Sequence, residues 1–349
     1  MSDSGLCWGG ARCRQPWWWK DYFVNWDELI GGIGQHTVEG LSKGAIFALV
    51  ALGYTLVYGV LKLINFAHSE VFMIGTVAVI GAWHFMGVTE TPSIGMAIVF
   101  LLVGAVVAAG ASGGVAVLVE RVAYRRLRRM NAPPLIFLIT AIGVSLTLME
   151  FMALWGAAWM TGKSTDIPLR MNIQDFPRML EDTTIFTIGG VVFKTHTLLL
   201  IGAALLMMFI LDVFINKTRY GRGVRAVAQN ADTAALMGVN QDRVIMLIFL
   251  LGGIMAGVAA LLWNVRYGYT KFDVGFVLGL KAFTAAVLGG IGNLRGALLG
   301  GLLLGVVEVY ASVLFQSRWE DVAAFVVLVV VLMFRPTGLL GESLGRARA

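Results

Sequence analysis

A succession of apolar runs long enough to cross a bilayer limits this chain more than any other feature. A helix needs about 20 largely apolar residues to cross a hydrocarbon core of ~30 Å. Runs of that kind are read at 37–60, 70–86, 94–119, 133–160, 197–215, 244–265, 275–291, 296–315 and 322–334. The chain has 349 residues, 58% hydrophobic and 14% charged, against about 25% charged in soluble domains. Its length is therefore spent on spans rather than on two soluble domains. The expected fold is all-α and polytopic, with about eight or nine transmembrane helices in two pseudo-related halves.

The charges say which way the spans run. Residues 120–131 hold five Arg against one Glu, and 217–243 hold five basic residues against two Asp. The C-terminal end adds Arg335, Arg346 and Arg348. The 161–196 interval is balanced, with four basic and four acidic residues. Basic loops stay in the cytoplasm, so the Arg-rich loops and the C-terminus are expected inside and the N-terminus outside. The same distribution explains the net charge of +6 without nucleic acid, because the basic residues sit in short inter-span loops. The 161–196 interval holds Ile185 to Phe193 around Gly189-Gly190, which reads as a small hairpin or a short surface helix. It is either a docking surface for an extracytoplasmic protein or a plain connector.

Two places interrupt the spans. One is LKLINFAHSE, from Leu61 to Glu70, which contains Asn65 and His68. The other is the short, Gly-rich run from Lys271 to Gly292, which contains Lys281 and Thr284. Both read as discontinuous helices at corresponding positions in two halves, and such breaks are tolerated in a membrane where they line a cavity or are buried in protein. Asn65, His68, Glu70, Lys281 and Thr284 are thus candidate residues of a translocation path. Glu150, Lys281 and Glu308 lie inside apolar runs and need partners or water there, as a polar path or as structural ion pairs. Gly44, Gly53, Gly300 and Gly301 also suit plain close helix packing.

The longest polar interval of the second half is YGRGVRAVAQNADTAALMGVNQDR, from Tyr220 to Arg243. Asn230 can cap a helix whose first turn holds Asp232 and Thr233, Gly238 can end it, and Asn240 can cap the next. Ala231, Ala234 and Ala235 fall on one face at i, i+3, i+4 spacing. A helix of two turns is marginal alone, so it needs a partner. A small-residue face beside the basic flank of Arg222 and Arg225 suits insertion into a groove.

Asp232-Thr233-Ala234-Ala235-Leu236-Met237-Gly238 resembles the EAA-x-x-x-G coupling loop of ABC-importer permeases, with Asp for Glu and Thr for the first Ala. Gly44-Ala45-Ile46-Phe47-Ala48-Leu49, Asn65-Phe66-Ala67-His68, the run LKAFTAAVLGGIGNLRGALLGG from Leu280, and Arg335-Pro336-Thr337-Gly338 are similar to the branched-chain amino acid permease family. The resemblance covers roughly residues 37 to 341. It implies a permease domain over 37–341 and does not reach residues 1–36, where Trp17-Trp18-Trp19 and Trp26 among charged residues read instead as an interfacial tail on the outer side, while 342–349 reads as a cytoplasmic tail. It also implies a bacterial inner-membrane complex of two homologous permeases, two ATP-binding subunits and an extracytoplasmic binding protein. Leucine, isoleucine or valine would be the cargo, although relatives that carry urea or short amides share much of the pattern. Arg222, Arg225, Asn230, Asp232, Ala234, Ala235 and Gly238 would couple this chain to the ATPase.

The chain has no nucleotide-binding motif, so ATP and Mg belong to partner subunits, with no cofactor or metal expected here. Gly162-Lys163-Ser164 lacks the first glycine of a phosphate loop, since Ala157 stands there. His68-Ser69-Glu70 imitates a deaminase zinc motif, but no Pro-Cys-x-x-Cys follows. No catalytic constellation forms among histidines at 36, 68, 84 and 196. Cys7 and Cys13 indicate neither a zinc site nor a disulfide framework. An ion-driven secondary transporter is the competing class, because Glu150 and Glu308 could serve as intramembrane carboxylates.

Overall fold

The computed structural model describes residues 26–88, 91–161, 179–180, 183–335 and 337–341. Cys7, Cys13, Trp17–Trp19, the 162–164 look-alike and the 342–349 tail lie outside these residues. Among the described residues the fold is all-α apart from one hairpin. Its helices are α1 (Trp26–Leu61), α2 (His68–Phe85), α3 (Ile94–Val119), α4 (Arg125–Arg129), α5 (Pro134–Thr161), α6 (Thr195–Lys217), α7 (Arg219–Gln229), α8 (Ala231–Leu236), α9 (Gln241–Tyr267), α10 (Val274–Gly289), α11 (Leu294–Phe315) and α12 (Glu320–Phe334). One π-helical turn, Glu120–Tyr124, joins α3 to α4.

Each of the nine expected runs is a helix. Six of the described helices are long and apolar enough to cross a membrane on their own. At about 1.5 Å per residue the other three runs, α2, α10 and α12, fall short of the ~30 Å core. The outward faces of α3, α5 and α6 carry Leu102, Val106, Ile139 and Phe209, all exposed. Such a surface belongs against lipid or another apolar partner.

One expected boundary moves. Residue 36 falls inside α1, which opens at Trp26. The first turns are held to α11, because Tyr310 Oη donates to Ile33 O at 3.1 Å and lies 2.8 Å from Thr37 Oγ1. Tertiary bonds thus extend the helix beyond its apolar run.

The core lies where α1, α2, α9, α10 and α11 meet. Small residues set the seams. A Cβ at Gly44 on α1 would come within 2.6 Å of Gly301 O on α11, and one at Gly253 on α9 within 2.8 Å of Gly113 Cα on α3. The packing reading of Gly44 and Gly301 therefore holds. The hairpin pairs β1 (Thr184–Ile188) with β2 (Val191–Lys194). Gly189 at φ 58° and Gly190 at φ 83° make its two-residue turn, which needs positive φ at both positions. Val192 N donates to Gln35 Oε1 at 3.0 Å, fixing the hairpin to the start of α1. This is the hairpin end of the bundle. The opposite end carries α4, α7 and α8 and is the arginine end.

Candidate functional site

At the arginine end the local signals work as read. Thr218 Oγ1 accepts from Gly221 N at 3.0 Å and starts α7, which buries Gly221, Val224 and Val227. Asn230 Oδ1 accepts from Thr233 N at 2.9 Å and starts α8. Gly238 at φ 85° ends it, with Val239 N donating to Ala234 O at 3.0 Å. Asn240 Oδ1 then accepts from Arg243 N at 3.1 Å and starts α9. Gln241 Nε2 donates to Ala231 O at 2.5 Å, so α8 is anchored to α9.

Two details differ from the sequence reading. The alanines do not form one free face. Ala234 is 4% exposed and packs within its own chain, while Asp232 and Ala235 are open. The parts that project are Leu236 at 88% and Met237 at 80% exposure. The anchoring of both ends to α7 and α9 sets this rotation, and helical spacing alone does not reveal it. Two exposed large apolar residues beside Gly238 are the signal that could have found them. Arg225 is exposed, and its Nη1 donates to Ile215 O near the end of α6. Arg222 is exposed on the same helix.

A charged cluster beneath α8 escaped the sequence reading. Glu120, in the π-helical turn, is fully buried. Arg128 Nη2 lies 3.2 Å from Glu120 Oε1 and 2.5 Å from Asp242 Oδ1. Arg125 Nε lies 3.6 and 3.7 Å from the same two carboxylates, and Arg129 Nη2 is 3.0 Å from Asp242 Oδ2. One residue before Arg125, Tyr124 Oη donates to Asn65 Oδ1 at 2.8 Å. A continuous chain of contacts thus runs from the start of α9 to the break before α2. A groove of about 410 Å³ opens between α4 and α8, lined by Arg128, Arg129, Ala235 and Asp242. A buried carboxylate in a π-turn is unusual, and π-bulges recur at functional sites.

Of the two expected breaks only the first is an interruption, because 271–292 holds one short unbroken helix, α10, which packs against the first break inside the bundle. Residues 62–67 are non-helical, and α2 begins at His68. Asn65 Oδ1 also accepts from Ala67 N at 3.1 Å. His68 packs edge-on to Tyr54 with ring centroids 4.9 Å apart, in space left by Gly53. Glu70 is fully buried, and its Oε1 accepts from Ser145 Oγ at 3.1 Å. Gly275 and Gly279 of α10 pack against Ser69. A side chain at Gly275 would come within 2.9 Å of Glu70 Oε2. Thr284 is buried and bonds its own helix at Leu280 O, 2.9 Å away.

Lys281 does not join Glu70. It enters a second charged cluster toward the hairpin end. Its Nζ lies 3.0 Å from Glu308 Oε1, 2.5 Å from Asp321 Oδ1 and 3.8 Å from Glu320 Oε1. Lys43 Nζ lies 3.0 Å from Glu308 Oε2 and also contacts Glu320. Lys281 and Glu308 are therefore ion-paired, while Glu150 stands exposed on α5. The short helix α10 separates two cavities. One is about 260 Å³, apolar, and lined by Phe66, Ile142, Phe276 and Leu280, with Tyr54, Ser69 and Ser145 at its wall. The other is about 430 Å³ and takes in Lys43, Lys281, Glu320 and Asp321.

A bundle of membrane-length helices with apolar outward faces, a short inner helix and a capped helix projecting at one end is the frame of a polytopic membrane protein. Comparison with known proteins gives the family. The family model of the branched-chain amino acid transport system permease component matches residues 36–332. The chain is 39% identical to the high-affinity branched-chain amino acid transport system permease protein BraD of Pseudomonas aeruginosa, over 88% of this chain and 95% of that one. It is 40% identical to LivH of Escherichia coli K12, named likewise, over 88% and 95%. A more distant relative, the autoinducer 2 import system permease protein LsrC of Yersinia pestis, is 28% identical over 59% of this chain and 54% of that one. This chain belongs to the family of branched-chain amino acid transport permease components.

Proposed function

We propose that this chain is the membrane-spanning permease subunit of an ABC importer for branched-chain amino acids. It works beside a second homologous permease, two ATP-binding subunits that hold ATP and Mg, and an extracytoplasmic binding protein, in the inner membrane of a bacterium. The arginine end and the C-terminus face the cytoplasm by the positive-inside rule, and the hairpin end and N-terminus face outward. The carrying observation is the projection of Leu236 and Met237 from α8 above the Arg128–Asp242 cluster. An apolar tip on an anchored helix is suited to a groove on the ATPase. Closure of that subunit would move α8, and Arg128, Glu120 and Tyr124 would carry the movement to Asn65 at the first break. The cargo path follows α10, with Asn65, His68, Glu70 and Thr284 where it packs against the first break and Lys281 nearer the outer face.

The test is reconstitution in vesicles with both ATPase subunits, the second permease and the binding protein. ATP-dependent uptake of labelled leucine, and none of urea, is the expected result. Urea uptake without leucine uptake would move the chain to the amide importers. Leucine uptake that needs an ion gradient and no ATP would remove it from the ABC class.

A further inference from the structure

The 430 Å³ cavity beside α10 carries more than a polar path. Its volume lies in the range of ligand sites, about 300–1,000 Å³. Both signs of charge meet in it. Lys43 and Lys281 are mostly buried, and the fully buried Glu308 behind them lies 3.0 Å from each ammonium. Glu320 and Asp321 stand in the first turn of α12, with Asp321 57% exposed at the edge. The rest of the wall is mixed, with Lys271 and Asp273 beside aromatic rings and the apolar side chains of Val277 and Leu278. The Trp263 and Tyr267 rings are tilted at 42° with centroids 4.2 Å apart, and Phe47 lies under both lysines at about 6 Å. Trp263 Nε1 donates to Tyr269 O at 2.9 Å, so the indole has no donor left for a ligand.

Building on the importer reading, we propose that this cavity holds a free, unblocked α-amino acid during passage, its carboxylate on Lys43 and Lys281 and its ammonium on Glu320 and Asp321. The present lysine–carboxylate pairs occupy the same places. A zwitterion replaces them charge for charge. Lys281 leaves Asp321 for the cargo carboxylate, and Asp321 takes the cargo ammonium. The net charge in the cavity does not change, so no lone ion is stranded in a poorly hydrated site. Lysine suits such an exchange, since it is a flexible point charge rather than a planar fork. The aromatic rings cover an apolar side chain. A neutral amide such as urea cannot replace either ion, and it would have to compete with intact ion pairs through neutral hydrogen bonds.

The test uses the assembled complex in lipid nanodiscs, with Cys7 and Cys13 changed to Ser and Ser317→Cys as reporter on the cavity wall. Labelling of that cysteine by a charged thiol reagent is timed. L-leucine should slow it several-fold. Leucinamide, which lacks the carboxylate, 4-methylpentanoate, which lacks the ammonium, and urea should not. Asp321→Asn and Lys281→Met should each remove the protection. Asp321 is half-exposed, so its variant tests the site even where the lysine variant fails to assemble. No protection by leucine, or equal protection by leucinamide, would overturn the site. Uptake of labelled leucine by the same complex reconstituted in sealed vesicles separates the two claims. Uptake without protection leaves the importer reading standing, and no uptake removes that reading as well.

Discussion

The two charged clusters have the same plan and different parts. Each has a fully buried carboxylate, Glu308 toward the hairpin end and Glu120 at the arginine end, and each sets two cations between that group and more exposed acids. The hairpin-end cations are lysines beside a cavity, and the arginine-end cations are guanidiniums between three chain segments. Lysine is a mobile point charge, whereas arginine holds several fixed directions at once. The lysine cluster suits exchange of partners with a passing charge. The arginine cluster suits transmission of a push. Each cluster borders an open volume, and what distinguishes the arginine cluster is that it also ties α9 to the turn that touches Asn65.

The largest expected effect tests the buried acids. Glu308→Leu leaves Lys43 and Lys281 with only peripheral acids, and breaking a buried pair costs roughly 3–5 kcal/mol. The purified permease should lose most of its heat-stable fraction. Adding Lys43→Met and Lys281→Met should restore part of it. Glu120→Leu should cost less, because Arg125 and Arg128 are more exposed than the two lysines and keep Asp242 as a partner. Thermal unfolding followed by size-exclusion chromatography reads both. Equal losses would erase the distinction between the clusters.

The next effect separates exchange from transmission. Lys281→Met should cut leucine uptake severely and leave ATPase stimulation by the loaded binding protein near normal in the assembled complex. Arg128→Met should do the reverse to stimulation, which should fall several-fold in an assembled complex. A charged hydrogen bond removed there is worth about 1.5–3 kcal/mol. If both variants lost uptake and stimulation in the same proportion, the clusters would have one job and not two.

Much of this was legible in the sequence because lipid is a severe solvent. Apolar runs, the break at 61–70 and the three cap residues Thr218, Asn230 and Asn240 depend on local chemistry, and the last two caps were read from it, whereas 271–292 holds the unbroken helix α10 where a break was expected. The Gly189-Gly190 turn is local as well. The charged partnerships of Lys281 and Lys43 were not legible, since Glu308 and Asp321 reach Lys281 from other helices, and Lys43 and Glu308, 265 residues apart, meet only through the α1–α11 seam. Arg128 and Asp242 are likewise brought together by packing, and a basic loop reads only as a topology signal. The rotation of α8 was hidden for a related reason. Six residues carry too little periodicity to fix a face, and the bond from Gln241 to Ala231 helps to decide it.

A smaller effect follows from that rotation. Ala234→Trp would overpack the permease itself, at roughly 1–3 kcal/mol, and lower its thermal stability before any partner is added. Leu236→Ala with Met237→Ala should leave the free permease as stable as before, since both side chains point away from it. The pair should still weaken co-purification of the ATPase subunits. Unchanged co-purification would mean that another surface carries the contact.

Whether the arginine end receives the driving subunit is tested most directly at Ala235, which is exposed and lines the groove beside Arg128 and Arg129. The measurement is ATPase activity stimulated by loaded binding protein, together with co-purification of the ATPase subunits, for Ala235→Trp against the unaltered complex. A tryptophan there leaves the permease fold intact and fills the groove, at a cost of roughly 1–3 kcal/mol to a close contact. The account predicts a permease of normal thermal stability whose stimulated activity or ATPase co-purification falls several-fold. A fully assembled, fully stimulated Ala235→Trp complex would contradict it and take the coupling contact away from α8.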